Sequence, residues 1–299
     1  MSMTVLTLPA NPPFSLPVVV NSHGWVQLSP FSAAEDGREL GYVTRLDSGR
    51  VVELVIREAS AGVEVSAGTD GPLNESEKGQ IAQQVTWMVG LDQDFSAFYS
   101  LTRDTPQLAS VEAQARGRIL RSSTLFEDVV KTILTTNTSW AGTLRMVKAL
   151  VSRFGTALPT DPTRRAFPTP ERLAVADEET LRSEAGLGYR APYVAELARS
   201  VASGDRDLEA LKTTDEATTD LYNRLLAIKG VGHYAAAHLL MLLSRYDFVP
   251  VDSWAIKMVS HEWHGGEPIG RDEVEAAFEQ WGAWQGLAYW FWDWSYSDA

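Results

Sequence analysis

Near residue 75 the chain changes its hydrophobic period, and that change limits the possible folds more than any other feature. Upstream lie five short runs rich in valine, LPVVVN, WVQL, ELGYVTRL, RVVELVIRE and AGVEVSAG, set apart by turn signals such as EDG and DSG. In RVVELVIRE, Val52, Leu54 and Ile56 alternate with Val51, Glu53 and Val55, which is the period of a half-buried strand. LDSGRVV has the form of a hairpin corner. From NESEKGQIAQQVTWMVG onward the pattern is helical, with connections rich in Pro, Gly and Asp. Thr169 ahead of Pro170 predicts a helix N-cap, and AVADEETLRSEAGLGYR predicts a short helix stopped by glycine. Strands gathered at one end and helices at the other predict an α+β protein. The expected division is an N-terminal antiparallel β domain over residues 1–90 and an all-α domain over residues 91–299.

A chain of 299 residues has room for two or three domains or subdomains. Its 44% hydrophobic and 22% charged content predicts a soluble globular protein, and no apolar run reaches the roughly 18 residues of a membrane span. The opening MSMTVLTLPANPPFSLP lacks the basic head and apolar core of a signal peptide, which predicts a cytoplasmic protein without a membrane partner. There is no cysteine, so disulfides, thiolate zinc sites and cysteine-ligated iron–sulfur clusters are excluded. The sequence contains neither H-E-x-x-H nor a phosphate-cradling glycine loop.

The net charge of −13 has the wrong sign for a nucleic-acid protein, but it is unevenly spread. Successive thirds of the chain carry −7, +3 and −9. The basic middle third holds Arg116, Arg118, Arg121, Lys131, Arg145, Lys148, Arg153, Arg164, Arg165 and Arg190. A local basic face can hold phosphates even where the global field slows the approach to DNA. The same residues can equally form a solvated surface of mixed charge.

The stretch LLAIKGVGHYAAAHLL interrupts one helical pattern and starts another. TDLYNRLLAIKG predicts an amphipathic helix ending at Gly230, and HYAAAHLLMLLSRY predicts a second helix about three residues later. A turn of this kind points backbone N–H groups and the second helix's N-terminus outward, an anion site without sequence preference. Gly230 and Gly232 are then expected both for backbone angle and for close approach of a phosphate. Alone, a Gly-x-Gly turn also suits an ordinary αα-corner. Soon after comes VPVDSWAIK, whose Asp252 stands in an apolar segment and can cap the helix that follows.

Taken together, LLAIKGVGHYAAAHLL and VPVDSWAIK, with the acid eighteen residues after Tyr234, resemble the helix-hairpin-helix, Gly/Pro-rich, aspartate (HhH-GPD) superfamily of DNA glycosylases. The resemblance extends to LFEDVVKTILTTNTSWAGTLRMVKALVSRFG, FPTPERLAVADEETLRSEAGLGYRAPYV and FEQWGAWQGLAYWFWDW, in the family's order and spacing. It covers roughly residues 91–299. The β domain ahead of the helices is similar to the alkylpurine (3-methyladenine II) and 8-oxoguanine branches.

The resemblance implies two helical subdomains flanking an active-site cleft, and it assigns roles to residues. Asp252 becomes the catalytic carboxylate, which stabilises an oxocarbenium-like sugar and activates water. Tyr234 stands where bifunctional members carry the Schiff-base lysine. A phenol cannot form that bond, so a monofunctional glycosylase without lyase activity is expected. The implied base pocket comprises Tyr234, His238, Tyr289, Trp292 and Asp293, against a bland reading of His238 and the aromatics as core. Asp293 departs from the aromatic residues of both branches. The implied DNA contacts are Asn137, as the residue filling the gap left by the extruded base, Arg190 near a phosphate, and Lys229, Gly230, Val231, Gly232 and His233 of the hairpin. Asn137 can also be read as a helix N-cap. The carbonyls of Leu226, Ile228 and Val231 are expected to hold a monovalent cation, with no other cofactor and no iron–sulfur cluster.

The expected partner is double-stranded DNA carrying a damaged base, met by a monomer at the nucleoid of a prokaryotic cytoplasm. An alkylated purine is the expected substrate, because the aromatic positions suit the alkylpurine branch. Asn137 and GLGYRAPYV are closer to the 8-oxoguanine branch, and a catalytically inactive module for lesion or abasic DNA is the alternative from another class.

Overall fold

The computed structural model describes residues 2–294. In chain order the elements are β1 Ser2–Pro9, α1 Leu16–Val20, β2 Phe31–Ala33, β3 Glu39–Arg45, β4 Val51–Ala59, β5 Gly62–Thr69, α2 Glu75–Val89, α3 Ser96–Thr102, α4 Leu125–Thr135 and α5 Trp140–Phe154. These are followed by β6 Ala157–Leu158, β7 Asp161–Arg165, α6 Pro170–Ala174, α7 Glu178–Ser183, α8 Ala191–Ala202, α9 Thr218–Leu226, α10 His233–Leu242, α11 Ser253–His264, α12 Arg271–Phe278 and α13 Gln285–Trp290. The protein is α+β, an N-terminal antiparallel sheet followed by helices. It forms two compact units, Met1–Gln93 with Arg118–Ala210, and Asp94–Gly117 with Leu211–Ala299.

In the first unit five strands pair in the order β1-β5-β4-β3-β2, all antiparallel. The alternation in β4 sends Val52, Leu54 and Ile56 into the core, each fully buried. The corner between β3 and β4 closes at Gly49, whose φ of +88° lies in the left-handed region, with the Leu46 N–H donating to the Arg50 carbonyl at 2.8 Å.

Two expected strands are not strands. LPVVV forms α1, with Pro17 in its first turn, and GWVQ forms a 3₁₀ turn over Gly24–Gln27. Leu16, Val19 and Val20 stand at i, i+3 and i+4, and all three are buried on one side of the short helix. Packing of that face, with a proline preset for a helix start, overrides the strand preference of valine. The sheet instead recruits SMTVLTLP as β1, in register from Ser2 opposite Thr69 to Pro9 opposite Gly62.

The helices of this unit start where their caps predict. Asn74 and Glu77 form a capping box on α2, and Thr169 caps α6 ahead of Pro170. α4 runs almost entirely inside the unit and carries charge there. Lys131 pairs with Glu127 at 2.6 Å, both side chains essentially without solvent access. Tyr42 of β3 donates its hydroxyl to Glu127 at 2.6 Å, and the Trp25 indole donates to Asp128 at 2.7 Å. The Ser122 N–H also donates to Asp128, at 3.0 Å, and the Lys131 ammonium donates to the Ser122 hydroxyl at 3.2 Å. Burial raises the carboxyl pKa of Glu127, opposed by Lys131, and burial likewise raises that of Asp128. This polar network ties sheet to helix.

The second unit joins α3 to α9–α13. Its core includes Phe98, Leu239, Leu240, Phe278 and Leu287. No helix among the described residues is long and apolar enough to cross a membrane.

Candidate active site

The opening glycine stretch folds as a helix–turn–helix within the second unit. α9 ends at Leu226, earlier than the expected Gly230, because Ala227 closes its last turn by donating to Asn223 and Leu225. Ile228 and Val231 are buried and anchor the turn, while Lys229 is exposed. Gly230 has φ +89°, a conformation that favours glycine. Gly232 does not need its glycine for backbone angle. Its φ of −95° is extended, and a Cβ there would meet no atom within 4 Å. The expectation of an angular requirement at Gly232 is therefore corrected.

Gly232 is the N-cap of α10, which has no side-chain cap and no acid in its first turn. Among the described residues no capping side chain accepts from its leading N–H groups, at the positive end of the helix dipole. The exposed His233 is fixed by a 2.8 Å bond between Nδ1 and the Tyr222 hydroxyl, and Tyr222 stacks on Phe248 with ring centroids 4.5 Å apart.

One turn into α10, the rings of Tyr234 and His238 stack at 6.2 Å with 13° between planes, as the i, i+4 spacing predicts. His238 is buried and also lies 5.8 Å from the Trp290 ring. Asp252 is the N-cap of α11, with Oδ1 accepting the Ala255 N–H at 2.8 Å. The capping reading is therefore correct as far as it goes. The carboxylate also acts beyond its helix. Burial and then the Asp252 charge push the Tyr234 phenol up to about 12, and the same two causes, with Tyr234, push Tyr289 well above the ordinary range. Two neutral phenols thus lie within the field of one carboxylate.

Burial holds the His238 imidazole down at about 4. It is neutral near pH 7. The unfolded histidine takes a proton near 6.5 while the folded one refuses it until about 4, so the unfolded state gains protons first as the pH falls. Stability should therefore drop between pH 6.5 and about 4, by about 3 kcal/mol from this group. Urea denaturation across that range checks it: His238→Phe should show a flatter profile, and an unchanged slope would deny His238 this role.

Of the remaining expected pocket residues, Trp292 and Asp293 lie past the end of α13. Trp292 is buried in a ring cluster with Trp263, Phe278 and Trp281, which is core packing. Asp293 is exposed, and its N–H donates to the Gln107 carbonyl at 3.1 Å.

Two aromatics missed in the sequence belong to the cluster. Trp290 touches His238, and Trp254 lies edge-to-face with Tyr289 at 6.3 Å. Trp254 could have been found, since it sits in the first turn of the helix that Asp252 caps.

The other two expected DNA contacts belong to the first unit. Asn137 is exposed with φ +48°, a conformation that asparagine tolerates better than most residues, and Ser139 rather than Asn137 caps α5. Arg190 is buried. Its guanidinium donates to the Thr136 carbonyl and, at 3.1 Å, to that of Asn137, and lies over the Tyr189 ring. Arg190 is thus committed to the loop that carries Asn137 rather than open to a phosphate, a correction to its expected role. Buried guanidinium groups need acceptors, and the carbonyls of this loop provide them.

No group of three or more His, Cys, Asp or Glu side chains gathers to hold a metal ion among the described residues. The carbonyls of Leu226, Ile228 and Val231 are neutral oxygens at the end of α9 and in the segment that joins it to α10. Ile228 accepts the Val231 N–H at 2.9 Å and keeps a second lone pair.

The family model of the HhH-GPD superfamily of base excision DNA repair proteins matches residues 130–283, more than half of the chain. The protein belongs to this family. The probable N-glycosylase/DNA lyase of Methanothermobacter thermautotrophicus is 25% identical over 224 residues, 68% of this chain and 70% of that one. The 3-methyladenine DNA glycosylase of Archaeoglobus fulgidus shares the fold with a TM-score of 0.74 at 22% identity, over 97% of both chains. The 8-oxoguanine glycosylase/lyase of Clostridium acetobutylicum shares it at 0.67 and 20% identity, over 90% of this chain and 92% of that one. The α9–α10 helix pair and Asp252 both fall within the matched residues, and the chain carries the base-excision glycosylase fold.

Proposed function

We propose that this protein is a monofunctional DNA glycosylase that binds damaged duplex DNA, extrudes an alkylated purine of the 3-methyladenine type and hydrolyses its N-glycosidic bond. One observation carries the reading: the Asp252 carboxylate lies among Tyr234 and Tyr289, both kept neutral, with His238, also neutral, stacked on Tyr234. As the C–N bond breaks, positive charge develops on the sugar, and a fixed carboxylate stabilises it. The same carboxylate orients water and takes its proton as the oxygen attacks the anomeric carbon, while the base departs with the bonding pair. A purine alkylated on a ring nitrogen is already cationic and suits an anionic, electron-rich pocket.

The uncapped start of α10 and the open face at Gly232 would receive a backbone phosphate. A monovalent cation held by the carbonyls of Leu226, Ile228 and Val231 would add positive charge beside it. Asn137, presented by its left-handed loop, would fill the gap left by the extruded base.

Tyr234 has no amine with which to form a Schiff base, which supports hydrolysis without strand cleavage. The names of relatives as N-glycosylase/DNA lyases and the Asn137 loop favour a second reading, an 8-oxoguanine-type enzyme. Duplexes carrying one lesion each, treated with protein and then with or without hot alkali, separate the two. Release of 3-methyladenine or 7-methylguanine with strand breaks only after alkali is expected. Breaks without alkali would overturn the monofunctional assignment, release of 8-oxoguanine alone would select the second reading, and binding without any release would leave a lesion-binding module.

A further inference from the structure

We infer that α5 carries an additional DNA contact, a track of cations that holds backbone phosphates of the duplex flanking the lesion, an inference that rests on the DNA-binding part of the reading above. α5 has 15 residues, WAGTLRMVKALVSRF, with three cations and no acid, in a chain whose net charge is −13. It buries Thr143, Met146, Val147, Leu150 and Val151. The opposite face shows Ala141, Arg145, Lys148 and Ser152, at i, i+4, i+7 and i+11, all exposed. Arg153 pairs with Glu184, whereas neither Arg145 nor Lys148 has an ion-pair or hydrogen-bond partner among the described residues. The stripe leads to a cavity of about 170 Å³ that Lys148 and Ser152 line together with Arg164, Arg165, Ser29 and Ser32. Two acids at this place are already engaged: Glu53 pairs with Arg164, and Asp161 accepts the Thr163 hydroxyl at 2.6 Å. Arg145, Lys148, Arg164 and Arg165 against those two acids leave a local excess of positive charge.

Guanidinium, ammonium and hydroxyl groups that converge in this way recognise a phosphate. The cavity is smaller than the roughly 300–1,000 Å³ of ordinary small-molecule sites, so it admits a phosphate group and leaves the rest of the molecule outside. A row of cations along a helix matches a chain of phosphates better than one free ion. Position along α5 says which phosphates. The helix begins three residues after Asn137, on the loop proposed to enter the duplex. Lys148 stands eight residues beyond Trp140, about 12 Å along the axis at roughly 1.5 Å per residue. That is the rise of roughly three or four base pairs, which puts the contacted phosphates in the flank and not at the lesion. Gathering cations on one face also offsets, at close range, the repulsion between an acidic chain and DNA.

The test uses the full chain as wild type, Arg145→Ala with Lys148→Ala, Arg145→Lys with Lys148→Arg, and Arg38→Ala, which removes an exposed arginine elsewhere in the same unit. Affinity is measured from about 50 to about 200 mM salt for a duplex centred on a tetrahydrofuran abasic analogue, which fixes the register. The duplex carries about ten base pairs on each side, or is cut to about two on one side or the other. The alanine pair should weaken binding to the long duplex about tenfold at the lower salt and reduce the slope of log affinity against log salt by about 2, as two lost phosphate contacts require. The Lys/Arg exchange should keep most of the affinity, and Arg38→Ala should change little. Cutting one of the flanks should bring wild type and the alanine pair to within about twofold of each other. Unchanged affinity and slope, an equal loss in Arg38→Ala, or a loss that persists whichever flank is cut would overturn the track. So would calorimetric binding of inorganic phosphate that the alanine pair abolishes while duplex affinity stays the same, since the site would then serve a free ion. A wild type that shows the expected slope and flank dependence yet releases no base supports the track and removes the glycosylase reading alone. One that folds but binds no duplex overturns both.

Discussion

Replacing Asp252 by asparagine should slow base release by about a hundredfold to a thousandfold, the 2.7–4 kcal/mol typical of lost transition-state electrostatics. Asparagine keeps the size of the side chain and can still accept the Ala255 N–H as the N-cap of α11, so the fold should hold. The lost feature is the negative charge, which on the proposed mechanism would stabilise the oxocarbenium-like sugar and provide the base for water. Affinity for lesion duplex should survive or rise, because one like charge near the phosphates disappears. The substitution has a second readout in the phenols. Asp252 helps to raise both Tyr234 and Tyr289, so alkaline titration of the variant should show both ionising at lower pH than in wild type. If base release stays within a few-fold of wild type, or if the variant unfolds, the acid is a structural cap alone.

Replacing Lys131 by alanine should destabilise the protein by about 3–5 kcal/mol at pH 7, the cost of leaving one member of a buried ion pair uncompensated. Glu127 would keep its bond from Tyr42 but lose the ammonium that opposes the effect of burial on its pKa. Its carboxyl, already raised by burial, would then ionise at still higher pH in the folded chain. A folded pKa raised above the unfolded value means that stability is present at low pH and lost as pH rises through the folded pKa. The deficit of Lys131→Ala should therefore shrink on acidification toward pH 5, opposite to the expected trend from His238. Paired replacement, Glu127→Gln with Lys131→Met, should cost much less than the single change, since no charge is left unpaired. Urea denaturation of the three proteins at pH 7 and pH 5 decides the matter; a single-site loss under about 1 kcal/mol would mean that water or a shifted side chain compensates the carboxylate.

The acidic balance of the chain fits this division of labour. The net charge of −13 slows approach to DNA at long range, yet phosphate contact depends on local groups. Backbone N–H groups at the start of α10 bring partial positive charge without a basic side chain. Several arginines of the basic middle third are already engaged: Arg118 donates to four carbonyls of its own unit and Arg190 to two. Counting basic residues along the chain therefore overstates the surface offered to DNA.

The α+β class, the β3–β4 corner, the caps of α6 and α11 and the hairpin with its aspartate were legible in the residues. Each depends on local chemistry: period-2 alternation, a left-handed glycine, a side-chain oxygen two or three residues before an orphan N–H. Local rules failed where burial outweighed them. LPVVV became a helix because its Leu16, Val19 and Val20 face found a core, and SMTVLTLP became an edge strand because β5 offered it a ladder. Composition could not say that the compact units are each built from separate stretches of chain, since that depends on which faces meet after folding. Nor could spacing along the chain tell that Arg190 grips the Thr136–Asn137 carbonyls, that Trp292 packs in the core while Trp254 stays open, or that Asp252 acts on Tyr234 and Tyr289. The sequence alone set which groups can cap, stack and carry charge, because those are properties of a residue and its near neighbours. Only the tertiary structure decided which of them are buried, which are paired and which meet, because desolvation and contact are set by residues far apart in the chain.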